Sequence, residues 1–158
     1  MFIHYWHEKQ ASMQWKLKSF EELTPQELYG ILRLRSEVFV VEQDCVYLDA
    51  DGYDDKCLHL WAKDGDDYVA CTRILPRGVY YDEASIGRVI VAKSHRGGVL
   101  GKELMRRSEE ALYATGERGP IKIMAQSYLL QWYSSQGYEA QGEDFLEDDI
   151  PHRIMVKA

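Results

Sequence analysis

The sequence predicts a single α+β domain built on a mixed β-sheet. Three observations carry this: the segments read in the order β-α-β-β-β-α-β-α-β, three strands follow one another in mid-chain, and no repeat, low-complexity tract or Pro/Gly-rich linker divides the chain. A strictly alternating doubly wound fold lacks that central run. The 158 residues, 46% hydrophobic and 28% charged, suit one domain with a real core. Residues 1–12 show no clear period and read as an N-terminal extension outside the main fold, leaving residues 13–158 for the domain.

Each element has a local reason. Residues 14–20 alternate as a strand with Trp15, Leu17 and Phe20 inward. Thr24-Pro25-Gln26-Glu27 then offers an N-cap, a proline at the first helical position and a glutamate to close a capping box. The helix it opens carries Leu28, Ile31, Leu32 and Arg35 on one side. Asp49, Asp51, Asp54 and Asp55 read as a solvated acidic loop. Gly52 stands fourth from Asp49, not sixth, which argues against a calcium loop of the EF-hand type. Residues 58–63 and 68–75 form two strands around Asp64-Gly65-Asp66-Asp67, a hairpin signal. Residues 85–91 make another strand, and 100–115 a helix whose Leu100, Leu104, Met105, Ala111 and Leu112 recur at helical spacing. A strand at 121–126 leads to a short helix at 128–135 stopped by Gly137, and residues 150–157 close the chain as a strand with Ile154 and Val156 on one face.

Charge excludes some partners. The net charge of −7 argues against non-specific binding to nucleic acid or to anionic lipid. Within residues 84–107, however, Arg88, Lys93, Arg96, Lys102, Arg106 and Arg107 face Glu103 alone, a local balance of +5. That island reads equally as a small-anion site or as a solvated helix face. Cys45, Cys57 and Cys71, 12 and 14 residues apart, fit neither a disulfide framework nor a zinc site and read as reduced thiols of a cytoplasmic protein. No apolar run approaches the roughly 20 residues of a membrane span, and the N-terminus lacks a signal peptide's basic head.

The segment from Gly87 to Lys102 places a strand, a basic glycine-rich turn and a helix start in succession. Unpaired N–H groups and a positive dipole make such a turn an anion cradle. A Walker A loop would need Gly at Arg96 and a hydroxyl at Glu103; a dinucleotide fingerprint would need glycines at relative positions one, three and six, whereas Gly97, Gly98 and Gly101 stand at one, two and five. What the segment resembles is the acyl-CoA signature of the GNAT acetyltransferases, with Val89-Ile90-Val91 followed by Arg96-x-x-Val99-x-Gly101; Val99 replaces the usual glycine. Gln126-Ser127-Tyr128-Leu129-Leu130-Gln131-Trp132-Tyr133 with Gly137-Tyr138 is similar to the family's later helix, Gln126 and Leu129 replacing the commoner Asn and Ala. The stretch from Arg35 to Gln43, the loop with Asp49 and Asp51-Gly52, and Ile150-Pro151-His152 resemble the ElaA-type branch.

The resemblance covers residues 14–157 and implies a GNAT-type sheet splayed between its central strands. It implies pyrophosphate held by backbone amides of Gly97, Gly98, Val99, Leu100, Gly101 and Lys102 with the Arg96 charge. Free backbone groups of Val89 and Val91, flanking Ile90, would pair with the pantetheine arm near Gln126. Acetyl-CoA would then donate its acetyl group directly to an amine, with no metal. Tyr133 is the candidate proton donor to the departing sulfur, since its phenol stays protonated at neutral pH. The general base is open among Glu42, His59 and His152, the histidines also being candidates for acceptor binding. Arg35 either anchors an acceptor carboxylate or pairs with Glu42. The expected partner is a small amine or a protein amino group, with neither nucleic acid nor membrane, and a homodimer is a possible assembly. A non-catalytic acyl-CoA sensor and an acyltransferase like the acyl-homoserine lactone synthases are the alternatives.

Overall fold

The computed structural model describes residues 13–158; the extension expected over residues 1–12 lies outside the described residues. Seven strands and three helices follow in the order β1 (Met13–Ser19), α1 (Pro25–Arg35), β2 (Leu58–Asp64), β3 (Asp67–Leu75), β4 (Ala84–Val91), α2 (Leu100–Ala114), β5 (Ile121–Gln126), α3 (Leu130–Ser134), β6 (Glu139–Glu147) and β7 (Ile150–Lys157). They build one sheet in the order β1-β2-β3-β4-β5-β7-β6. Neighbours are antiparallel except β4 and β5, which α2 joins as a parallel pair. Among the described residues, no helix is long and apolar enough to cross a membrane.

Alternation along the strands divides the core between the two faces. Leu60 and Ala62 of β2 pack with Leu104, Met105 and Leu112 of α2, whereas Trp61 between them packs with Ile31 and Leu34 of α1. On β4 the parity changes. Ile86 belongs to the α2 side and Ile90 to the α1 side, although they are four residues apart. The cause is one extra residue: Arg73 pairs with Gly87 and Cys71 with Ile90, so three steps on β4 face two on β3. Arg88, at φ +50°, occupies this bulge and absorbs its backbone strain.

The capping box forms as expected, Glu27 N–H donating to Thr24 Oγ1 at 3.1 Å and Thr24 N–H to Glu27 Oε2 at 3.0 Å. The face it starts is rotated from the expected one, with Ile31, Leu34 and Arg35 buried and Leu32 only half-buried. Leu17, expected inward, is 45% exposed. After α1 the helix widens into π-helical turns over Ser36–Glu42, where Gln43 N–H donates to the Val38 carbonyl and Cys45 N–H to that of Val40. β6 has no counterpart in the expected order. It is an almost wholly exposed edge strand, and its pairing with β7 slips between Gln141 and Phe145.

Candidate active site

The functional gap follows from the ladder. β4 and β5 pair only at Ala84 with Ile121 and Ser85 with Lys122, then diverge, while β5 continues along β7 from Ile121 to Gln126. From Ile86 onward the β5-facing edge of β4 therefore has no ladder partner among the described residues. The opening is a cavity of about 880 Å³, lined on the donor side by Val89, Ile90, Val91, Arg96, Gly97, Gly98, Gly101 and Gln126.

The glycine loop has the geometry its sequence suggests. Gly97 stands at φ +81°, where a side chain would be strained, and Val99 has helical backbone angles of φ −90° and ψ −6°, so its N–H joins the open start of α2. At Gly101 a Cβ would come within 2.9 Å of the Trp132 ring; glycine here lets α2 approach α3. Leu100 is buried in the core, and the Val99 and Lys102 side chains are exposed and outside the cavity lining. Leu100 can therefore hold an anion only through its backbone.

The side chains of the donor end are engaged with one another. Arg96 Nε donates to the Val91 carbonyl at 2.8 Å, so that carbonyl is not free as the sequence implied. The two terminal nitrogens of Arg96 grip the Glu42 carboxylate, one at 2.9 Å, and hold its carboxyl below the usual range. Gln126 and Gln43 exchange amide hydrogen bonds of 3.2 and 3.3 Å. The rest of the basic island is less available than its count suggests. Arg106 binds Glu103 and Glu110, and Arg107 binds Glu103 and lies over Trp15.

Tyr133 is buried against Trp132 and Tyr138, with burial pushing its phenol upward. It lines the cavity, as do Glu42 and His152. The His152 ring stacks on Phe145, and its Nδ1 lies 2.7 Å from the Ile150 carbonyl. Because a carbonyl only accepts, a neutral ring donates through Nδ1 and keeps its lone pair on Nε2. Tyr53, Tyr80, Tyr81, Glu147 and Asp148 complete this end. Sequence reasoning missed Tyr80 and Tyr81, because they sit in an aperiodic loop.

Two expected site residues lie elsewhere. His59 is 1% exposed and outside the cavity lining, its Nε2–H donating to the Asp54 carbonyl at 2.7 Å, and desolvation lowers its pKa. Arg35 pairs with Asp49 at 2.7 Å and Asp54 at 2.6 Å, not with Glu42, and lies outside the cavity lining. Of the acidic loop expected in solvent, Asp55 is exposed, whereas Asp49, Asp51 and Asp54 form an ionic cluster. Arg73 binds Asp51 and Asp54, and Arg88 binds Asp49 while its guanidinium lies near Phe39 and Tyr47. Three arginines from α1, β3 and β4 thus fix the loop that walls the cavity. The aspartates were visible in the sequence; their distant partners were not.

Comparison with known proteins agrees with this geometry. A family model described as an acetyltransferase (GNAT) domain matches residues 22–158. Protein ElaA of Escherichia coli is 37% identical over 147 residues, covering 92% of this chain and 96% of that one. The crystal structure of an acyl-CoA N-acyltransferase from Pseudomonas aeruginosa superposes with a TM-score of 0.88 at 39% identity, covering 93% of this chain and all of the other. That of E. coli ElaA gives 0.85 at 35%, covering 92% and 99%.

Proposed function

The chain belongs to the GNAT acetyltransferase family, and from that premise we propose that it transfers an acetyl group from acetyl-CoA to a primary amine by direct attack. The observation that carries this is the splayed gap itself, an unpaired β4 edge leading into a glycine loop at the open start of α2. Both features suit a long acylated donor: the edge offers hydrogen bonds to an extended arm, and the loop offers backbone N–H groups to a pyrophosphate.

When bound, acetyl-CoA supplies the activated carbonyl carbon. Gly97, Gly98 and the first amides of α2 hold its phosphates, and β4 orients the arm. The acceptor nitrogen forms its bond to the carbonyl carbon as the carbon–sulfur bond breaks. Tyr133 gives its phenolic proton to the departing sulfur. Glu42 or His152, the latter through the lone pair on Nε2, takes the proton that frees the amine's lone pair, and the second proton of nitrogen restores the Tyr133 phenol as the amide forms. The acidic and aromatic acceptor end, with Glu147, Asp148 and three tyrosines, favours a cationic amine.

The test is thiol release from acetyl-CoA against a panel of small amines and lysine peptides. Tyr133→Phe is expected to lower turnover ~10²-fold or more while leaving acetyl-CoA affinity near that of the wild type. Unchanged turnover defeats the acid role. Tight CoA binding with no thiol released by any amine favours the sensor reading.

A further inference from the structure

The two polar side chains that line the donor side of the gap, Arg96 and Gln126, are both occupied, and by consecutive residues. Arg96 has all its donor nitrogens directed at protein, the terminal pair to Glu42 and Nε to the Val91 carbonyl. The Gln126 amide both gives to and receives from Gln43. We propose that Glu42 and Gln43 set the affinity for the acyl donor from across the gap, by holding Arg96 and Gln126 until the donor displaces them. This rests on the reading of the gap as an acyl-CoA site and adds two affinity-determining residues to it.

The backbone makes residues 42–45 a strap across the opening. The π-helical turns end at Glu42, and Gln43 and Cys45 N–H reach back five residues to Val38 and Val40. Asp44 turns the chain at φ +49°, and the Cys45 thiol donates to the Asp148 carbonyl at 3.4 Å. Over four residues the segment therefore touches the β4–α2 loop, the end of β5 and the β6–β7 turn. π-Helical turns are rare and concentrate where function requires an unusual backbone path. The contacts are of a strength that a ligand can exchange. The side chains of Glu42 and Arg96 are 33% and 40% exposed, and such pairs contribute little in water. A pyrophosphate at the glycine loop competes with the Glu42 carboxylate for one guanidinium. Once released, Glu42 loses the partner that keeps its proton affinity low.

Calorimetric titration with CoA, which needs no acceptor, tests this on the wild type, Gln43→Ala, Glu42→Asp and the double variant. Glu42→Asp keeps the charge but withdraws it by one methylene, so relief of general repulsion does not account for its effect. Each single change is expected to tighten CoA roughly twofold to fivefold, and the double change by at least as much as the stronger single one, since adjacent residues of one strap couple. Unchanged or weakened affinity in both single variants, with unfolding midpoints matching the wild type, overturns the proposal. CoA binding by none of the four proteins overturns the acyl-CoA reading itself. Binding by a variant but not by the wild type supports the strap. A second measurement uses the wild type alone: saturating CoA is expected to speed amide exchange at residues 43–45, and slowed exchange there overturns the proposal even if a variant fails to fold.

Discussion

Burying the Arg35 guanidinium at 1% exposure costs several kcal/mol of desolvation, offset only because Asp49 and Asp54 surround it. Replacing it with a neutral side chain of similar length removes the most buried cation of the cluster and leaves Asp49 to Arg88 and Asp54 to Arg73. Arg35→Met is therefore expected to cost ~3–5 kcal/mol in denaturant unfolding; a wild-type midpoint with a raised acceptor KM would return Arg35 to the acceptor site. Glu27 is a second test at this scale. Two opposing influences act on it: burial raises its pKa, while bonds from Lys18, Thr24 and Lys16 lower it further, to about 2. Its stabilisation is thus complete above the unfolded value of 4.5 and is lost as pH falls toward 2. Glu27→Gln keeps an acceptor for the capping box but removes the charge. It is expected to lower Tm by roughly 3 °C at neutral pH, with the deficit vanishing near pH 2. An equal deficit at both pH values would assign the effect to the cap.

Elements were legible where one physical signal dominated. The apolar period of α2 identified all five of its expected core residues, and the capping box identified the start of α1 to the residue. β6 was illegible because Glu139, Glu143, Asp144 and Glu147 leave little apolar alternation, and an edge strand needs none to pair on one side. Leu17 follows the same rule on the other edge, where, among the described residues, β1 pairs only with β2. The glycine loop was legible as a motif, yet the reason for Gly101 was not, since Trp132 lies 31 residues away. Gly101→Ala puts helix propensity and packing in opposition. The alanine gains about 1 kcal/mol as a helix residue, and the overpacking against Trp132 costs about 1–3 kcal/mol. We expect net destabilisation, weakened CoA binding, and recovery of both in Gly101→Ala/Trp132→Leu. Weakened CoA binding that Trp132→Leu fails to recover would place the glycine's role at the phosphate.

At the scale of the molecule, the gap was legible only through the resemblance. No local pattern says that two parallel strands pair twice and then part; that depends on β7, which holds β5, and on the bulge that redirects β4. The result is a sheet in two halves. Strands β1–β4 and β5–β7 share two ladder positions, and the strap through Gln43 and Cys45 is a further link between them. A donor lying along β4 with its phosphates on the glycine loop adds contacts that exist only when both halves are in place. It binds the native state and not the unfolded chain, so it stabilises by mass action: about 2.7 kcal/mol at a concentration 100-fold above its Kd. For a chain of this length the midpoint should rise by roughly 8 °C. The shift should fall with salt, because the phosphates meet a loop of positive potential, whereas a thermal scan with pantetheine, which lacks the pyrophosphate, should show little change. Equal shifts from CoA and pantetheine would move the anchor from the glycine loop to the β4 edge, and no shift from CoA would remove the donor from this gap.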